Sequence, residues 1–469
     1  MTHVRTQMKE GTQADFRKQY ARHFLAERKE MTIFVLMKRK EVIQSLIAMK
    51  QAEIPFRIIP RDMELPIDSG QIITVPGVRR CGKSSLMMLA INRLIENGID
   101  KKKILWIGFD DERFHGMGTE GLDDVITSYM EMHPDIPIKE VYMFFDEIQL
   151  IDNWELFVLR VYKNYCKNIF VSGSNAQMLS GELSSALRGW PLEYEAFPLS
   201  FHEFCRFKNI PTEYFTEAGK AILKNAFNEF YRSSSFPEIV LMTEKSMKER
   251  KLQGYFNTML FRDLIEHYGL TNHEVIRYFL KRLMANLTKP TSINSIYNDI
   301  KSQGQKIGKD KIYELAEYVC EIFMFFKVPK YEKSLVKENN APCKYYCIDN
   351  GMRNAILLPQ SGDDGKLLEN AVFLHLKRNR KPNEKICYYQ GNKECDFAIQ
   401  HEDTIVRLIQ VTWEMSDETT RRREIDGLTE AAEQTKCNDL TIVTADEEDE
   451  LTADGRKIKI VPAWKWLLS

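Results

Sequence analysis

The chain has 469 residues, 43% of them hydrophobic and 28% charged, with 66 Lys+Arg against 67 Asp+Glu and a net charge of -1. That length suggests about three domains, and the composition is that of a globular chain able to bury a large core. It excludes low-complexity disorder and a uniformly basic coat, while leaving a local basic face open. The nine Cys are scattered and odd in number, against a disulfide framework and in keeping with a reducing cytosol. Cys343 and Cys347 lie close together, but no further ligand follows at metal spacing, so zinc is not expected. The apolar run Met31 to Met37 falls far short of the ~20 residues that cross a bilayer. With no signal-like apolar segment at the N-terminus, a cytoplasmic protein without a membrane partner is expected.

From about residue 13 to 52, apolar residues such as Phe24, Leu25, Phe34, Val42, Leu46 and Ile47 recur at helical spacing, and Pro55 and Pro60 end the stretch. The texture then alternates. Ile72 to Val75 reads as a strand, Ser84 to Asn97 as a helix, and Ile104 to Phe109, Val141 to Phe145 and Asn168 to Ser172 as further strands. Alternating strands and helices predict a parallel sheet covered on both faces, an α/β core. Residues 214–286 read as helical. Ile293 to Lys301 and Lys309 to Phe326 predict two helices around a Gly-containing turn, followed by extended segments at Met324 to Tyr331 and Tyr345 to Ile348. That is the order of a winged helix. A last unit predicts a helix at Leu367 to Asn379, strands near Ile386 to Gln390, Cys395 to Gln400 and Val406 to Thr412, a helix at Arg421 to Lys436 and a strand at Leu440 to Val443. The expected division is 1–50 as a helical extension, 51–212 as the core, 213–286 as a helical segment, 287–361 as the winged helix and 362–469 as the terminal domain.

The most specific motif is Gly77-Val78-Arg79-Arg80-Cys81-Gly82-Lys83-Ser84, which fits G-x-x-x-x-G-K-[ST] at every fixed position and is followed by Ser85. Its glycines let successive backbone N–H groups curl around phosphate oxygens. Lys83 supplies a point charge for the terminal phosphates, Ser84 a hydroxyl for Mg²⁺, and the helix that follows an anion-binding N-terminus. ATP and Mg²⁺ are therefore the expected ligands. The apolar strand ending in Asp146-Glu147 supplies a second Mg²⁺ ligand, Asp146, and an acid able to polarise water, Glu147. Ser172-Gly-Ser174-Asn175 ends the next strand in small polar residues that suit either a γ-phosphate contact or a simple turn.

With these residues in place, the chain resembles the prokaryotic AAA+ ATPases related to the archaeal ATPase group, which carry a C-terminal domain of uncharacterised function. The resemblance runs through Thr74-Val-Pro-Gly-Val-Arg-Arg-Cys-Gly-Lys-Ser-Ser85, Phe145-Asp-Glu-Ile-Gln149, Ser172-Gly-Ser-Asn-Ala176, Phe197-Pro-Leu-Ser-Phe-His-Glu-Phe204, Phe236-Pro-Glu238, Phe261-Arg-Asp263 and Tyr346-Cys-Ile-Asp-Asn-Gly351. It implies a P-loop ATPase core, a helical segment, a winged helix and a restriction-endonuclease-like terminal domain. It places Asn175 in the sensor position and matches Asp110, Asp111 and Arg113 to an acidic Asp-Asp-x-Arg element. The family's arginine after the sensor strand is Trp190 here; Arg188, Arg79 and Arg80 are the cations left to replace it. Ser233-Ser-Ser-Phe-Pro237 stands where the family tends to have glycines.

Nucleases of that terminal fold need an acid on a first helix, an Asp at a hairpin and Glu/Gln-x-Lys on the next strand. Glu369, Asp396 and Gln410 fill the first positions, but Thr412 replaces the lysine, which favours a fold that kept its shape and lost its chemistry. In the winged-helix segment, Lys309, Lys311 and Tyr313 suit DNA, whereas Asp310, Glu314 and Glu317 oppose it. Three functions follow: an ATP-hydrolysing AAA+ enzyme moving a DNA-contacting C-terminal half, a slow ATP-gated switch with protein partners or copies of itself, or an ATP-licensed Mg²⁺-dependent nuclease. The acid pair and the large C-terminal half weigh against a small-molecule kinase.

Overall fold

A computed structural model of the protein describes residues 39–114, 116, 118–174, 191–358, 360 and 362–468, with the backbone alone at 119 and 120. The sensor-position residue Asn175, the substitute Arg188, Trp190 and the predicted helix before residue 39 lie outside the described residues.

The core is a sheet of β1 (Ile72–Pro76), β2 (Ile104–Gly108), β3 (Tyr142–Asp146), β4 (Asn168–Gly173) and β5 (Pro191–Glu193), in the order β2-β3-β4-β1-β5. All its pairings are parallel. β1 is buried along its whole length, as a strand sandwiched by helices must be. Its alternating side chains feed two cores. Ile73 and Val75 join Leu86, Met87 and Ile91 of the helix Lys83–Glu96. Ile72 joins the opposite face, under helices Thr119–Met132 and Trp154–Asn164 and residues Ile43 and Ile47 of the helix over residues 39–53. β5 was not predicted; three residues at a sheet edge carry too little periodicity to show.

Helices Glu217–Arg232 and Lys245–Thr258 follow, the latter continuing as a π-helical stretch, Met259–Glu266, and then helix His273–Ala285. Helices Ile293–Ser302 and Lys309–Glu321 precede β6 (Phe325–Val328) and β7 (Lys344–Cys347), which pair antiparallel. The C-terminal sheet is mixed: β8 (Glu384–Gln390), β9 (Glu394–His401), β10 (Thr404–Val411), β11 (Leu440–Thr444), β12 (Asp449–Ala453) and β13 (Arg456–Pro462), in the order β12-β13-β11-β10-β9-β8. Helices Asp364–Arg378 and Glu418–Thr435 pack against it. The hairpin β12–β13 was not predicted from the sequence.

Ser234 and Ser235 have a packing role. Asp349 is buried and accepts hydrogen bonds from the Ser235 N–H at 2.7 Å, the Ser235 hydroxyl at 2.9 Å and the Met352 N–H at 2.7 Å. Burial pushes its carboxyl up to about 6 despite these donors. Beside it, a Cβ on Gly351 would lie 2.4 Å from the Ser234 backbone nitrogen. Gly351→Ala should therefore lower stability by roughly 1–3 kcal/mol, seen as a lower urea midpoint with unchanged far-UV circular dichroism.

Candidate nucleotide-binding site

The site forms at the carboxyl ends of β1, β3 and β4. Gly82 caps helix Lys83–Glu96 in the left-handed region (φ 103), with no side-chain cap and no acid in the first turn. Its free N-terminus therefore suits an anion. Arg80 is also left-handed, at φ 71, which completes the curl of the loop. Lys83 is only 3% exposed. Its ammonium lies 3.1 Å from the Gly77 carbonyl, 3.3 Å from the Val78 carbonyl and 3.2 Å from Glu147 Oε1. Burial works against this charge, but Glu147 foremost among its neighbours raises its pKa.

β4 lies between β1 and β3, so its polar end meets both acids. The Ser172 and Ser84 hydroxyls hydrogen-bond Asp146, and the Glu147 N–H donates to Ser172 Oγ at 3.1 Å. Burial nevertheless holds the Asp146 carboxyl above its usual range. Ser174 donates to Glu147 Oε2 at 2.8 Å, and the Gln149 amide donates to the same oxygen at 2.6 Å. Burial alone would raise Glu147; Lys83, Gln149, Arg79 and Ser174 outweigh it and hold the carboxyl at about 2. Ser84 and Asp146 thus bring a hydroxyl and a carboxylate together, a hard-oxygen donor set that fits Mg²⁺.

An uncharacterized protein of Methanocaldococcus jannaschii is 33% identical over 423 residues, covering 88% of this chain and 92% of its own. This chain belongs to that protein's family. An uncharacterized Haemophilus influenzae protein is 27% identical over 406 residues, 86% of this chain and 95% of its own. Residues 69–205 match the family model of an AAA domain, and residues 224–363 that of a domain of unknown function. A solved Walker-type ATPase of Pyrococcus abyssi aligns with a TM-score of 0.40 at 13% identity, covering 61% of this chain and 90% of that one. The α/β core of this family member is an ATP-binding P-loop domain of the AAA type.

The remaining loop residues divide by environment. Val78 and Cys81 are buried, Ser85 is half-buried and Arg80 is exposed, its guanidinium 5.8 Å from the Tyr255 ring. Burial pushes the Cys81 thiol up. Arg79 makes a bidentate pair with Asp263 of the π-helical stretch, with Nη2 to Oδ1 at 2.7 Å and Nε to Oδ2 at 3.1 Å. Beside this pair is a cavity of about 250 Å³ lined by Arg79, Asp110, Gln149, Ser174, Arg262 and Asp263 among others. Asp111 and Arg113 pair with each other at 2.6 Å, and Arg113 holds Asp111 at about 2.

Two partners of the loop were not foreseen. Arg61 donates to Glu203 at 2.7 Å, to the Cys81 carbonyl at 3.0 Å and to the Phe197 carbonyl at 2.9 Å. Glu203 also closes a capping box with Ser200, so the Phe197–Phe204 motif braces the loop through Arg61. A Ser-x-x-Glu box before an apolar run was a readable cap; its distant arginine was not.

In the C-terminal unit the structure brings Glu369, Asp396 and Gln410 together. The Asp396 N–H donates to Gln410 Oε1 at 3.1 Å, and Gln410 Nε2 donates to Glu424 at 2.6 Å. Glu369 and Asp396 share a partner absent from the sequence reading, the Lys344 ammonium of β7. Burial and then Asp396 push the Glu369 carboxyl up to about 8.

The side chains of Arg61 and Glu203 are 4% and 3% exposed. Arg61→Met or Glu203→Gln alone should lower stability by about 3 kcal/mol or more, because each leaves a buried polar group unpartnered. Urea denaturation should show the double variant Arg61→Met/Glu203→Met losing less than the sum of the single losses.

Proposed function

We propose that this chain hydrolyses ATP with Mg²⁺ at the loop Gly77–Ser85 and uses the nucleotide state to reposition its helical segment. The observation that carries the reading is the convergence of Lys83, Ser84, Asp146 and Glu147 within one set of hydrogen bonds and ion contacts. In this reading the loop backbone and Lys83 hold the terminal phosphates, and Ser84 and Asp146 hold Mg²⁺. The metal supplies charge neutralisation on the phosphate oxygens. Phosphates draw the Lys83 ammonium off Glu147, which then has the freedom to orient water and accept its proton. Arg79 links that event to Asp263 and hence to the π-helical stretch. The five-unit division at 50, 212, 286 and 361, with a winged helix from 287 and a restriction-endonuclease-like unit from 362, belongs to the same proposal.

A slow, switch-like enzyme is the second reading, and one observation favours it: Gln149 and Ser174 both grip the oxygen of Glu147 that is not facing Lys83. The proposal does not extend to DNA. Lys311 pairs with Glu314 and Lys327 with Glu317, so acids of the helix Lys309–Glu321 compensate these cations.

Steady-state phosphate release distinguishes the readings. Lys83→Ala should lose ATP binding and turnover together. Glu147→Gln should bind ATP as the wild type does and turn over roughly 10²–10³-fold more slowly. Equal, slow release by wild type and Glu147→Gln would replace the enzyme with the switch. No detectable ATP binding by folded wild type would end both.

A further inference from the structure

Glu369 on helix Asp364–Arg378 and Glu394 and Asp396 on β9 converge on one point. In a metal-dependent nuclease that point holds Mg²⁺. Here it holds the Lys344 ammonium, 3.0 Å from Glu369 Oε1, 2.7 Å from Glu394 Oε1 and 2.9 Å from Asp396 Oδ1. The Lys344 side chain is 0% exposed. Two of its donors hydrogen-bond Glu369 and Asp396, and Glu394 adds an ion-pair contact.

Neighbouring groups add to these contacts. The Tyr346 hydroxyl donates to the same Glu369 Oε1 at 2.7 Å, and the Val411 N–H donates to the second oxygen of Asp396, Oδ2, at 3.0 Å. Gln410 turns its oxygen to a backbone N–H. The Thr412 hydroxyl, at the position of the missing lysine, donates to the Glu414 carbonyl at 3.2 Å. Among the described residues, no group of three or more His, Cys, Asp and Glu is arranged to hold a metal ion. A divalent cation entering the cluster meets a buried like charge in contact with its own ligands. The residues therefore do not fit the metal that the nuclease reading requires.

We infer that Lys344 is the resident cation of this cluster, and that the cluster clamps β7 to the C-terminal sheet instead of holding a catalytic metal. The same short strand is gripped again three residues on. The Cys347 N–H donates to Asn370 Oδ1, and Asn370 Nδ2 donates to the Cys347 carbonyl, both at 2.9 Å. Glu369 and Asn370 are adjacent on one helix, so a single turn holds both ends of β7. The inference goes beyond the nucleotide reading and does not depend on it.

The test uses the full chain without nucleotide. Wild type should show no Asp396-dependent Mn²⁺ binding by electron paramagnetic resonance and no cutting of single- or double-stranded DNA with Mg²⁺ or Mn²⁺. Lys344→Met should lower the unfolding midpoint by roughly 5 °C or more, since it strands buried carboxylates. Adding Glu369→Gln and Asp396→Asn to that variant should recover most of the loss, because the uncompensated charges go with the ammonium. Mn²⁺ binding or DNA cleavage by wild type that disappears in Asp396→Asn would overturn the inference. So would a Lys344→Met protein as stable as wild type, or a triple variant no more stable than Lys344→Met. If Lys344→Met does not fold, the triple variant decides: folded protein supports the clamp and insoluble protein overturns it.

Discussion

A lysine ammonium cannot leave water without a compensating charge. Lys83 is buried to 3% exposure, and Glu147 answers it at 3.2 Å. Much of the site's geometry follows from that pairing. It ties the loop after β1 to the end of β3, although β4 stands between those strands. Glu147 reaches across in the left-handed backbone region, at φ 51, with its N–H on Ser172. Such backbone conformations cost free energy and persist where their surroundings fix them. In the proposed function a ligand phosphate would offer Lys83 a different counter-charge, and the pair would be the point at which nucleotide alters the resting arrangement.

The loop is also a junction. Arg61 holds its Cys81 carbonyl and reaches Glu203, while Arg79 reaches Asp263 of the π-helical stretch. The first contact is dry and fixed, with both side chains almost wholly buried. The second borders the cavity, with side-chain exposures of 19% and 11%. Of the two, the wetter pair has the smaller desolvation cost to recover and can be broken more readily. In the proposed function a phosphate that attracts Arg79 would compete directly with Asp263 and so connect the chemistry to the helical segment through one carboxylate.

Local features of the chain were legible because their physics is local. The G-x-x-x-x-G-K-S run, the acid pair after an apolar strand and the strand–helix alternation each declare themselves within a few residues, and the structure has four of the core strands within about two residues of where periodicity placed them. What stayed hidden is long-range. Arg61 meets Glu203 across 142 positions, Arg79 meets Asp263 across 184, and Lys344 meets Asp396 across 52. No spacing rule announces such partners. The edge strand β5 and the charged hairpin β12–β13 were missed for a different reason, since short or solvent-facing strands lack a clean apolar alternation.

Three of the motifs that carried the resemblance without a chemical role now have one in common. Phe197–Phe204 supplies Glu203 to Arg61, Phe261–Asp263 supplies Asp263 to Arg79, and Tyr346–Gly351 supplies Tyr346 to Glu369 and Asp349 to Ser235. Each contributes a polar or charged contact between segments far apart in sequence. Apolar packing tolerates substitution of similar volume, whereas a buried charge accepts only a partner of opposite sign in the right place. A chain that must keep several units in register around one nucleotide pocket has reason to fix those contacts with charge. The Lys344 cluster extends the same device to the C-terminal sheet, where carboxylates that suit a metal in other proteins hold a strand in this one.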